Sequence, residues 1–74
     1  NIRVFPNPTN GSVFIEGSLK TYNQLIINIL SPDGRLLKSH SPSTLPYRTA
    51  LPPGVWIVQI IGENFVWSKR ILVF

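Results

Sequence analysis

Cysteine and methionine are absent from this chain, and acidic residues nearly so: Glu16, Asp33 and Glu63 stand beside a single histidine, His40. Without cysteine no disulfide can restrict the unfolded chain, so stability has to come from packing. Seven prolines help by stiffening the unfolded state. The missing thiols leave the redox compartment open. One histidine and three carboxylates are too few and too dispersed for a structural metal site. No apolar run approaches the ~18–20 residues of a membrane-crossing helix. The first residues also lack the charged and apolar segments of a signal peptide. If the protein is exported, that signal lies elsewhere, and the chain is expected to be one domain, residues 1–74, from a longer secreted protein.

Catalytic groupings are equally scarce. A nucleophile relay needs a base beside a serine or cysteine, oriented by a third group. His40 is the only candidate base, and its Ser/Pro-rich surroundings read as a solvated loop. Asp33 and Glu63 already have turn-forming places, so no fixed pair of carboxylates is suggested. There is no glycine-rich phosphate loop and no metal-ligand spacing. The chain reads as a non-enzyme with no cofactor.

Positive charge is present but scattered. The net +4 draws on Arg3, Lys20, Arg35, Lys38, Arg48, Lys69 and Arg70, of which only Lys69-Arg70 are adjacent. Nucleic-acid binding calls for a contiguous basic stripe with stacking aromatics, so a mildly basic solvated surface is the better reading.

What the chain does have is strand pattern. Leu51 to Ile61 opens with a rigid Pro-Pro-Gly turn and continues into residues of strong strand preference. Only Gln59 is polar between Val55 and Ile61, so a central strand covered on both faces is expected. Gln24 to Leu30 is a second apolar run, expected to lie across from it as the other central strand. Its β-branched residues favour strand over helix. Ser31-Pro32-Asp33-Gly34 is a β-turn signature that predicts a hairpin with Arg35–Ser39.

Ile2 to Phe5 is a short first strand stopped by Pro6-Asn7-Pro8, and Thr9-Asn10-Gly11 completes that turn. Asn10-Gly11-Ser12 also spells a glycosylation sequon, which the turn explains as well. Ser12 to Glu16 alternates cleanly, and Gly17 to Thr21 bridges to the next strand. Tyr47-Arg48-Thr49 is a short strand marked as an edge by Pro46. Gly62-Glu63-Asn64 is a hairpin loop before a last strand, Phe65–Phe74. Seven strands without a helix predict an antiparallel β-sandwich. Trp56 and Trp67 read as core, while Tyr22 and Tyr47 read as half-buried at strand ends.

The punctuation carries a further signal. Val4-Phe5-Pro6-Asn7-Pro8-Thr9-Asn10-Gly11 resembles the opening motif of the type A C-terminal sorting domains of the Bacteroidetes type IX secretion system. The family's middle motif is similar to the stretch from Ile27 to Leu37, with Gly34-Arg35 at its turn. Its third motif resembles Leu51-Pro52-Pro53-Gly54-Val55-Trp56-Ile57-Val58, and its closing motif Lys69-Arg70-Ile71-Leu72-Val73. The resemblance runs the length of the chain with the motifs in order. The chain departs from the usual pattern with Trp56 in place of tyrosine, Leu30-Ser31 in place of Tyr-Asp, and Val73-Phe74 at an end that is often basic.

The resemblance implies an immunoglobulin-like sandwich at the C-terminus of a secreted cargo protein. Such a domain is recognised in the periplasm and carried through an outer-membrane translocon. A sortase-like protease then cuts it off, leaving the cargo released or attached to the cell surface. Its partners would be the translocon, that protease and the covalently linked cargo upstream of Asn1. The recognition residues carried over are Pro6, Asn7, Pro8, Gly11, Gly34, Arg35, Gly54, Lys69 and Arg70. Glycines and prolines shape turns first; Arg35, Lys69 and Arg70 are the better contact candidates, since a sandwich does not need them to fold. Two rival readings remain. One is a carbohydrate-binding or surface-binding sandwich, which requires Trp56 and Trp67 exposed together on one face. The other is a structural module that pairs through an edge strand.

Overall fold

The computed structural model describes residues 2–17, 25–42 and 44–74. Over these it holds seven strands: β1 Arg3–Phe5, β2 Ser12–Glu16, β3 Ile26–Leu30, β4 Leu36–His40, β5 Tyr47–Ala50, β6 Gly54–Ile61 and β7 Val66–Val73. They form two antiparallel sheets, ordered β1-β2-β5 and β4-β3-β6-β7. The start of the expected second central strand at Gln24, the bridge through Lys20, and Tyr22 lie outside the described residues.

Strict alternation sends one side of every central strand into a shared core. Val4, Val13 and Ile15 come from the three-stranded sheet; Ile27, Ile29, Val58, Ile60, Ile71 and Val73 come from the other. Both sets belong to one buried cluster, so the sheets are layered face to face, as a β-sandwich requires. Each buried aliphatic contributes about 1.5–3 kcal/mol from apolar surface removed from water.

Two expectations for the strands at the heart of the molecule are corrected. β3 does not lie across from β6 but beside it, with Asn28 opposite Gln59 and Ile29 opposite Val58. An apolar run marks a strand as central without saying which neighbour it bonds. β6 is also not covered on both faces. Val58 and Ile60 are fully buried, whereas Val55, Ile57, Gln59 and Ile61 are half-buried. No second layer packs on that outer side among the described residues, and its cover comes from adjacent strands of the same sheet.

The remaining punctuation acts where the sequence places it. Gly34 N–H donates to Ser31 O at 2.9 Å, closing the β-turn between β3 and β4. At φ +92° a Cβ on Gly34 would touch nothing within 4 Å, so the backbone conformation alone asks for glycine there. β5 is an edge strand, as Pro46 suggests. His40 is not in a loop: it ends β4 opposite Ile27 and stacks on Tyr47, ring centroids 4.4 Å apart. Tyr47 is half-buried.

Two lysines tie the layers along the open sides. Lys38 lies opposite Ile29 on the inner side of β4, and its Nζ donates to Thr49 Oγ1 at 3.0 Å and to Ala50 O at 3.1 Å on β5. Lys69 lies opposite Val58 on the inner side of β7, and its Nζ donates to Val4 O of β1 at 3.3 Å. A charge turned inward from an edge strand also discourages pairing with another chain.

Candidate recognition surface

Three of the four sequence motifs meet at one pole of the sandwich. β7 is an edge strand, and its outward backbone groups near the C-terminus need partners. Asn7 supplies two: its Nδ2 donates to Arg70 O, and its Oδ1 accepts from Leu72 N–H, both at 3.1 Å. A carboxamide here reproduces the donor and acceptor of a strand neighbour. Thr9 continues the pairing through its backbone, donating to Leu72 O and accepting from Phe74 N–H at 3.0 Å each.

Thr9 is buried, and its hydroxyl is satisfied by Ser12 O at 2.6 Å and by Gly11 N–H at 3.2 Å. Gly11 O in turn accepts from Leu51 N–H at 2.8 Å. Gly54 opens β6 opposite Val73. Pro6 and Pro8 are exposed on either side of Asn7, both preceded by cis peptide bonds. They remove backbone donors from a segment whose pairing is carried by Asn7 and Thr9 instead.

The middle motif reaches the same end by register, because Leu30 pairs with Ile57 three residues into β6. Ser31 organises its turn. Its N–H donates to Arg35 O at 2.8 Å, its Oγ accepts from Arg35 N–H at 3.1 Å, and it also donates to the Asp33 carboxylate. That last bond holds the Asp33 carboxyl below its ordinary value. Beside the turn, Ser31, Arg35, Leu36, Leu37 and Trp56 line a shallow groove of about 230 Å³. The Trp56 indole N–H donates to Pro52 O at 2.8 Å, tying the third motif to its own turn.

The three cationic candidates separate. Arg35 and Arg70 are exposed, and neither side chain has a partner among the described residues. Lys69 does not simply present charge; its ammonium reaches inward to Val4 O. Alternation from Arg70 would have shown that Lys69 faces inward, but not that a carbonyl waits there. Thr9, Lys38 and Trp56 went unnoticed as organising residues. A turn threonine usually faces solvent, and nothing in the sequence distinguishes this one.

The tryptophans do not form a platform. Both are half-buried and packed against the core. Trp56 pairs with Ile71 and Trp67 with Ile60, which places them on the inner face about 13 Å apart along the strand. A sugar-binding surface built on the two together is therefore not present. Among the described residues no three His, Cys, Asp or Glu side chains gather to hold a metal, and no helix is long and apolar enough to cross a membrane.

The chain is a small all-β domain whose first, third and last motifs converge on one pole. The family model for the secretion system C-terminal sorting domain matches residues 3–74, and the chain belongs to that family. A sorting role in secretion, and not catalysis, follows from that membership. No curated protein matches the chain.

Proposed function

We propose that this domain is the C-terminal export signal of a cargo protein, read by the type IX outer-membrane translocon. On this reading it enters the periplasm with its cargo and is then cut away by a sortase-like protease. The cargo ends at the cell surface or outside the cell. Residues 1–74 act as one unit, and a chain preceding Asn1 would join at the pole opposite the motifs, where Arg3 pairs with Glu16. The strand orders β1-β2-β5 and β4-β3-β6-β7 support an immunoglobulin-like arrangement of A-B-E against C′-C-F-G.

The observation that carries the proposal is the bonding of Asn7 and Thr9 to Arg70, Leu72 and Phe74, which joins the first and last motifs across more than sixty residues. A folded signal must offer the same surface on every cargo, and this junction fixes it. Fusing the chain behind a periplasmic reporter should export the reporter in a host with the secretion system, and Asn7→Ala should reduce that export. A reporter that remains in the periplasm with the intact domain would refute the proposal.

A further inference from the structure

We infer that the outer face of the four-stranded sheet, at the motif end, is the docking surface of this signal, and that its partner is an apolar surface rimmed with carboxylates. The inference rests on the export reading and specifies what is read. Register places Leu36, Leu30, Ile57 and Arg70 in one row across all four strands. Val55 and Leu72 form the next pair towards the pole. Leu36 and Leu72 are 58% and 43% exposed, too much for residues that serve the core.

The row is bounded. One step away Ser39 Oγ donates to Asn28 Oδ1 at 2.6 Å, and Asn28 Nδ2 donates to Gln59 Oε1 at 3.1 Å. This polar ladder separates the row from a second outer-face apolar row, Ile26, Ile61 and Val66, at the end away from the pole.

Charge selects the occupant. Arg35 adjoins Leu36 at one end of the row, and Arg70 closes the other, about 14 Å away by strand spacing. Neither guanidinium has a partner among the described residues. Glu16 is paired with Arg3 on the opposite sheet, and Asp33 is bonded to Ser31. A second copy docking by this face would set like charges together on a chain of net charge +4. An apolar partner with carboxylates placed to meet the two arginines satisfies both features.

The test uses the reporter fusion in the secreting host. Leu36→Gln/Leu72→Gln should lower export at least tenfold, and Arg35→Glu/Arg70→Glu at least threefold. Arg48→Glu, also an exposed site but on the other sheet, should leave it unchanged. All of these substitute exposed side chains, and slow exchange of the Val58 amide in the isolated chain reports that the core is intact. If the unaltered fusion is not exported, the export reading itself fails. If it is exported and the face variants match it, or Arg48→Glu lowers export as much as the paired reversal, the docking surface alone is overturned. Two binding measurements on the isolated chain identify wrong occupants. Micromolar dimerisation lost in Leu36→Gln/Leu72→Gln would assign the face to a second copy. Binding to phosphatidylglycerol vesicles lost in that variant would assign it to a membrane. Either result overturns the proposal.

Discussion

On the outer face of the three-stranded sheet, Arg3 meets Glu16 at 3.4 Å and lies 5.0 Å over the Phe5 ring, which stacks on Phe14 at 5.7 Å. Across the molecule, the outer face of the four-stranded sheet carries Leu30, Leu36, Ile57 and Leu72 between two arginines that have no acidic partner among the described residues. Both faces arise from the same alternation, and both sheets share one core. The first pairs Arg3 with Glu16 and stacks its aromatic rings within itself, with Arg48 as a further exposed cation; the second leaves an apolar row open between its two arginines. Folding explains residues whose contacts close, and an exposed apolar row flanked by cations calls for something outside the chain.

The largest effect expected separates adjacent residues. Ile71→Ala removes a fully buried side chain from the common core and should cost about 2–5 kcal/mol in denaturant unfolding. Leu72→Ala, next in sequence but on the outer face, should cost less than about 1 kcal/mol. Equal losses would mean that the outer face is part of the core, and the contrast between the faces would collapse.

Next come the groups that secure the edges. Lys38→Ala withdraws the donor shared by Thr49 Oγ1 and Ala50 O, and should cost about 1–2 kcal/mol. Asn7→Ala frees Arg70 O and the Leu72 amide on exposed backbone, where water can replace the lost bonds, so about 1 kcal/mol is expected. Its specific signature is faster hydrogen exchange at Leu72 with Val58 unchanged. Unchanged exchange at Leu72 would show that the first turn does not hold β7, and that the outer face is positioned without it. Glu16→Gln should move stability by no more than about 0.5 kcal/mol, because an exposed ion pair is screened by water and salt. A loss above that would show the three-stranded sheet's face contributing to the fold rather than merely being closed.

Much of this was legible in the residues. Apolar runs, alternation and turn spacing together located all seven strands, although β4 buries none of its residues. Proline and glycine located the turns, because Ser31-Pro32-Asp33-Gly34 permits little else. The motifs that carry the family resemblance are largely that same punctuation, which is why the family could be read from one chain. Neighbour relations were less accessible. The pairing of β3 with β6, the stacking of His40 on Tyr47 and the inward reach of Lys69 depend on chain paths between distant segments, which no local pattern encodes. The site was half legible for the same reason: Asn7, Gly11 and Gly54 stand out as turn residues, but their convergence with Leu72 and Phe74 is a fact of three dimensions. The apolar row is invisible in sequence, since Leu30, Leu36 and Ile57 look there like ordinary core.

The smallest effect concerns how each face holds its cation. Arg3 is held by an exposed carboxylate, whereas the backbone of Arg35 is fixed by Ser31, which also donates to the Asp33 carboxylate. That hydrogen bond keeps the Asp33 carboxyl below its ordinary 3.8. The folded carboxylate therefore binds a proton more weakly than the unfolded one, and its support for the turn is complete above the unfolded value. Support is lost only as pH falls from 3.8 through the lower folded value, so the turn that presents Arg35 stays fully formed at neutral pH. The Gly34 and Arg35 amide resonances should be flat from neutral pH down to about 4, shift at lower pH, and lose that inflection in Asp33→Asn. An inflection above 3.8 would mean that Ser31 does not hold the carboxylate, and that Arg35 is as loosely placed as its exposure suggests.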